Sequence, residues 1–207
     1  MIEKLACKLG RNDEVPNIEL AEEFCRQKNT VGIKEIAGGL LDKDKAVAND
    51  CIKVLYEIGE REPELIACYT DAFIPCLRSK NNRLAWGGMT ALAKIAHLAP
   101  VPIYKNLQTV LAAYENGSVI TVDNSISVFA GLCQAGTEYE KEVLPIIIKH
   151  LKNCRPKEVP QHAERAAICF NSKNAKAFIE VLEQRLPHLA SPGQTRVNRL
   201  LKKLRSL

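Results

Sequence analysis

Aromatic residues are scarce in this chain, at 5% of 207 positions, with one tryptophan, Trp86. The interior must therefore be assembled from Leu, Ile, Val, Ala and Cys. Runs rich in Val, Tyr, Phe and Thr are also missing, which excludes an ordinary all-β protein. No apolar stretch approaches the roughly 20 residues that span a membrane, so no membrane insertion is expected. Leu5-Ala6-Cys7 has the outline of a lipoprotein cleavage site. However, Lys4 and Lys8 interrupt it and no apolar segment precedes it, so no signal peptide is expected. The eight cysteines include no C-x-x-C pair. Most stand at apolar-face positions, where free Cys acts as a small hydrophobe. That usage points to a reducing, cytoplasmic setting rather than a disulfide framework.

Motifs for chemistry are missing as well. The chain has no G-x-G-x-x-G, phosphate loop, H-E-x-x-H or G-x-S-x-G. Ser, His and Asp occur without a spacing that favours a catalytic triad. The expectation is a non-enzymatic protein without a cofactor. His150 and Cys154 stand four apart, but two ligands do not make a zinc site. They are expected to be a plain surface-facing pair, with no metal. His97, one turn beyond the stripe of its helix, reads as a groove residue or as a partner of the helix C-terminus.

The formal charge of +5 is unevenly spread. Residues 1–100 carry 14 basic and 15 acidic side chains, whereas residues 101–207 carry 15 and 9. From Arg185 onward there are six Lys or Arg and no carboxylate side chain. Such an end suits an acidic partner, or serves as the polar cap that keeps a repeat array soluble.

What the chain does have is a repeat. Val47, Cys51, Val54, Leu55 and Ile58 follow the i, i+4, i+7, i+8, i+11 spacing of a buried helix face. Moving 37 residues along gives Leu84, Gly88, Ala91, Leu92 and Ile95; a further 37 gives Thr121, Ser125, Val128, Phe129 and Leu132. A fourth copy, shifted by 38, contributes Ala163, Ala166, Ala167 and Phe170. Each copy follows a first helix, as in Ile36 and Leu40, then Phe73 and Leu77, then Val110 and Tyr114. Two helices per unit, repeated at a fixed period, is the signature of an α-solenoid. A single unit cannot bury its apolar face, so the copies must stack.

Phe73-Ile74-Pro75-Cys76-Leu77 and Val143-Leu144-Pro145-Ile146-Ile147 resemble the first helix of HEAT repeats, which often carries a proline after two apolar residues. Arg185-Leu186-Pro187-His188-Leu189 is a weaker match. Gly38 and Ala112 occupy the corresponding position in the remaining units, and Asn153–Pro160 makes one connection longer. The resemblance implies an all-α, right-handed α-solenoid (an α-α superhelix) of about five HEAT-like, armadillo-type helix pairs. It spans residues 30–207 as one continuous array, with residues 1–29 as N-terminal capping helices.

The resemblance also places the second helices on the concave side. Their polar stripe is expected to include Asn49, Asp50, Lys53 and Glu57, then Trp86, Gly87, Thr90 and Lys94. It continues with Asp123, Asn124, Ser127 and Gly131, then Gln161, His162, Arg165 and Cys169. Trp86 stands where the equivalents are polar, and Trp is a preferred binding hot spot. The alternative is that its ring folds onto a neighbouring helix, with Gly87 and Gly88 allowing close approach.

The leading expectation is an interaction scaffold that holds a protein or peptide partner along this groove. Its contacts would be Trp86, Asn49, Lys53, Thr90, Lys94, Asp123, Ser127, Gln161 and Arg165. The alternative is nucleic-acid binding through the basic C-terminal patch of Arg196, Arg199, Lys202, Lys203 and Arg205. HEAT-like DNA glycosylases for alkylated bases combine aromatics with Asp and Arg, which would make Trp86, Asp123 and Arg165 the trio to test. Phycobilin lyases also use short HEAT arrays, but no residue here supports that role.

Overall fold

The structure is a computed structural model that describes residues 1–206. Among these residues there are twelve α-helices and no strand. They are α1 (Val15–Gln27), α2 (Thr30–Gly38), α3 (Lys45–Arg61), α4 (Thr70–Cys76), α5 (Asn82–Ile95) and α6 (Pro100–Lys105). The remainder are α7 (Leu107–Asn116), α8 (Val119–Ala135), α9 (Thr137–Asn153), α10 (Val159–Ala166), α11 (Ala175–Arg185) and α12 (Ser191–Leu204). Two compact units arise, Met1–Val128 and the chain from Phe129 onward.

In the first unit, α3 is the central element and packs on α1, α2 and α5, while α5 also packs on α4. The caps follow from local chemistry. Asn29, Asp44 and Asn81 each turn a side-chain oxygen onto a free amide in the first turn of α2, α3 and α5. Such a cap is worth about 1 kcal/mol. Pro75 sits inside α4 on an exposed face, and the helix ends one residue later.

In the first three copies the repeat-derived core is where the periodicity puts it, whereas in the fourth Ala167 is half-buried in a 3-10 turn past the end of α10. Val47, Cys51, Val54, Leu55 and Ile58 are buried, as are Leu84, Ala91, Leu92 and Ile95. In the third copy Thr121, Ser125, Val128, Phe129 and Leu132 are buried too. Close approach explains both glycines of α5. A Cβ on Gly87 would meet Ile52 of α3 at 2.7 Å, and one on Gly88 would meet Cys76 of α4 at 2.8 Å. One glycine therefore faces each neighbour.

In the second unit, α9 packs on α10 and α11, and α12 packs on α10 and α11. Pro145 lies inside α9, also exposed, whereas Pro187 falls in a 3-10 turn after α11. The core holds Val143, Ile147, Leu151, Val159, Ala163, Phe178 and Leu182. Phe170 stacks flat on Phe178 with ring centroids 3.9 Å apart. The extreme N-terminus departs from the expected helix: only Ile2–Lys4 form a 3-10 turn, and the chain then loops to α1.

Candidate functional site

In the first unit, α3, α5 and α8 place a polar and aromatic row on one set of second helices. Asn81 Nδ2 donates to Asn49 Oδ1 at 2.8 Å. Next along α3, Lys53 is buried, with its Nζ 3.0 Å from Glu14 and 2.7 Å from Glu57. Glu14 also pairs with Arg83 of α5. Burial alone would lower the Lys53 pKa, but Glu57 and Glu14 outweigh it and hold it above the usual lysine value.

Lys53 Nζ lies 4.9 Å from the centroid of Tyr56. The Tyr56 ring in turn meets Trp86 at a centroid distance of 5.8 Å and an interplanar angle of 45°. Both rings are half-buried, so each keeps an edge in solvent. Thr90 Oγ1 donates to the Trp86 carbonyl at 2.8 Å and accepts from Asn124 Nδ2 at 2.9 Å. Asn124 also donates to the Ile120 carbonyl at 3.0 Å. Asp123 and Ser127 are half-buried on α8, and Lys94 pairs with Glu60.

Several stripe residues have other roles. Asp50 is buried and accepts from the Cys7 amide at 2.8 Å, so the N-terminal segment covers it. Lys53 is enclosed by its carboxylates rather than open to a partner. Gly87, Gly131 and Cys169 are buried as well. Tyr56, Glu14, Asn81 and Arg83 complete the row without having been singled out. Tyr56 was within reach, because it lies two turns beyond Asn49 on one helix face.

In the second unit, Gln161 and Arg165 are half-buried on α10. His162, expected on the stripe, is fully buried, and His150, expected at the surface, is 8% exposed. Both corrections have one cause. α10 packs on both α9 and α12, and His150 of α9 and His162 of α10 meet where these two helices pack. His150 Nε2 and His162 Nδ1 stand 2.8 Å apart. Burial pushes the neighbouring Cys154 thiol up to about 11.

The basic end is partly neutralised. Arg196 forms a two-pronged pair with Glu164 at 3.0 and 2.5 Å, and Arg205 pairs with Glu183 at 2.5 Å. Arg185 donates to the carbonyls of Lys152 and Cys154. Arg199, Lys202 and Lys203 are exposed on α12, opposite the buried Val197, Leu200, Leu201 and Leu204.

Similarity to solved structures matches this architecture. A designed armadillo repeat protein, YIII(Dq)4CqI, superposes with a TM-score of 0.65 at 14% identity, over 99% of this chain and 100% of that one. The fold is that of a HEAT/armadillo-type α-solenoid. A second designed armadillo protein, YIII(Dq.V1)4CPAF in complex with the peptide (KR)4, gives 0.67 at 13% identity, over 90% of this solenoid and 86% of that chain. An engineered protein solved by the Northeast Structural Genomics Consortium gives 0.64 at 19% identity, over 99% and 96%. No protein-family model matches the sequence. No curated protein matches it either. At these identities the likeness establishes the fold, and function has to be argued from the site.

Proposed function

We propose that this solenoid is a non-enzymatic scaffold that holds an extended segment of a partner protein along the second-helix face of α3, α5 and α8. The observation that carries the reading is the half-buried Tyr56–Trp86 pair, flanked by the Asn49–Asn81 and Thr90–Asn124 hydrogen bonds. The aromatic edges supply apolar anchorage with little loss of rotamer freedom. The amides and hydroxyl supply partners for a peptide main chain. Within this reading Trp86, Asn49, Thr90 and Asp123 make direct contacts, while Lys53 and Lys94, held in ion pairs, set the field beside them. Ser127 of α8 completes the set in this unit. The armadillo neighbour in complex with a peptide supports the mode of use.

Trp86 is the single tryptophan, so its fluorescence reports this face without interference. Titration with a set of extended peptides, (Lys-Arg)4 among them, should give a saturable change with at least one member. Retention of the same sequence on immobilised protein should then depend on Trp86. Flat titrations throughout, together with no protein retained from extract at low salt, would sink the proposal.

A further inference from the structure

The buried histidine–cysteine cluster of the second unit lies outside the peptide-binding reading and stands on separate observations. His150 occupies the last turn of α9, and Cys154 follows one turn later at its end, so the i, i+4 spacing puts both on one face. His162 comes from α10 and faces them across the helix pair. The ligand atoms of all three residues lie within 4.8 Å of one another. The two imidazole planes are inclined at 54°, with centroids 4.8 Å apart.

We propose that His150, Cys154 and His162 form a zinc(II) site that ties α9 to α10, with a fourth position left to water or another small ligand. Two imidazole nitrogens and a thiolate make a borderline-soft donor set. Such a set selects zinc over magnesium or calcium, which favour oxygen ligands. At metal–ligand distances of about 2.0–2.3 Å, tetrahedral ligands stand roughly 3.3–3.7 Å apart. The present 2.8 Å between Nε2 and Nδ1 must therefore open by under about 1 Å, within reach of side-chain adjustment. On binding, the imidazole that donates the N–H between the two rings shifts its proton to its other nitrogen, the thiol proton leaves to solvent, and three lone pairs turn to the ion.

The surroundings hold this geometry without the ion. Arg185 donates to the carbonyls of Lys152 and Cys154 at 2.7 and 2.5 Å, which pins the turn that carries the thiol. Arg155 and Glu158 close the connection between the helices. Glu158 also places its carboxylate within electrostatic range of His162. The end of α9 adds the negative pole of its helix, which favours a cation.

The test uses the full chain, stripped with chelator and kept reduced, titrated with Zn(II) and with Co(II) as a spectroscopic substitute. One high-affinity equivalent is expected, with a thiolate-to-cobalt charge-transfer band and a zinc-dependent rise in melting temperature. Cys154→Ser should abolish the band and weaken zinc binding by at least about 100-fold, judged against the 10–100-fold cost of losing outer-shell partners alone. His150→Gln should act likewise. Cys68→Ser, which removes an exposed thiol elsewhere, should change neither readout. His162 is fully buried and its variants carry a folding risk, so the half-buried Cys154 decides the matter. No tight equivalent in the wild type, or one that Cys154→Ser leaves intact, overturns the proposal.

Discussion

Trp86 of α5 lies against Tyr56 of α3 with their ring centroids 5.8 Å apart, yet both rings remain half-buried. The indole is thus neither a free anchor nor a core residue; one side supports the helix pair and the other is open. Replacing Trp86 by Ala removes an aromatic contact worth about 0.5–1.5 kcal/mol, plus part of its buried area. A loss of about 1–2 kcal/mol is expected in denaturant unfolding, together with loss of peptide capture. Unchanged capture would remove Trp86 from the binding face.

Gly87, its neighbour in sequence, should behave in the opposite way. A Cβ there meets Ile52 at 2.7 Å, where α3 and α5 pack side by side. Gly87→Ala should cost about 1–3 kcal/mol, as overpacking does, despite Ala's better helix propensity. Chemical denaturation measures it, and a stabilised variant would mean that the helices do not approach so closely.

Glu57 gives the solenoid an acid-sensitive element. Burial would raise its pKa, but Lys53 and Arg61 outweigh burial and hold it below the ordinary value. A group depressed in the folded state stabilises above its unfolded pKa, about 4.3 for Glu, and that contribution is lost as pH falls through the folded value. Stability should therefore decline as pH drops below about 5, and Glu57→Gln should flatten that decline. At pH 7 the variant should be about 1–2 kcal/mol less stable, because Lys53 keeps only Glu14. Melting curves from pH 3 to 7 check both, and parallel curves for the two proteins would contradict it.

Local periodicity carries most of the fold. The spacing of Val47, Cys51, Val54, Leu55 and Ile58 and its copies sets the second helices, because a 3.6-residue period records which side is covered. What periodicity does not record is distant chain returning over an outward face. Asp50 looks solvent-facing until Cys7, 43 residues earlier, caps onto it, and Lys53 looks open until Glu14 closes over it. His162 was misplaced for a related reason. On a short helix packed on α9 and α12, one residue of rotation, about 100°, separates the buried Ala163 from its neighbour, and both faces are covered. The His150–Cys154 spacing was legible, but its third member became visible only when the helices were paired.

The basic C-terminal run makes the final test, because sequence and structure assign it different strengths. Six cations without a carboxylate side chain from Arg185 onward suggest a phosphate-binding strip. In the fold, acids from earlier helices reach across: Glu164 holds Arg196 and Glu183 holds Arg205, while Arg185 is committed to backbone carbonyls. Arg199, Lys202 and Lys203 remain exposed on α12. Counterion release scales at about −0.9 per neutralised phosphate, so duplex DNA binding should show a log–log salt slope no steeper than about −3 and fade at physiological ionic strength. Arg196→Ala should change stability by no more than about 1 kcal/mol, as exposed ion pairs do, and should not weaken that binding further. A slope near −5 or beyond would mean that Arg196 and Arg205 leave their carboxylates for phosphate, and nucleic acid would then replace a peptide as the partner to pursue.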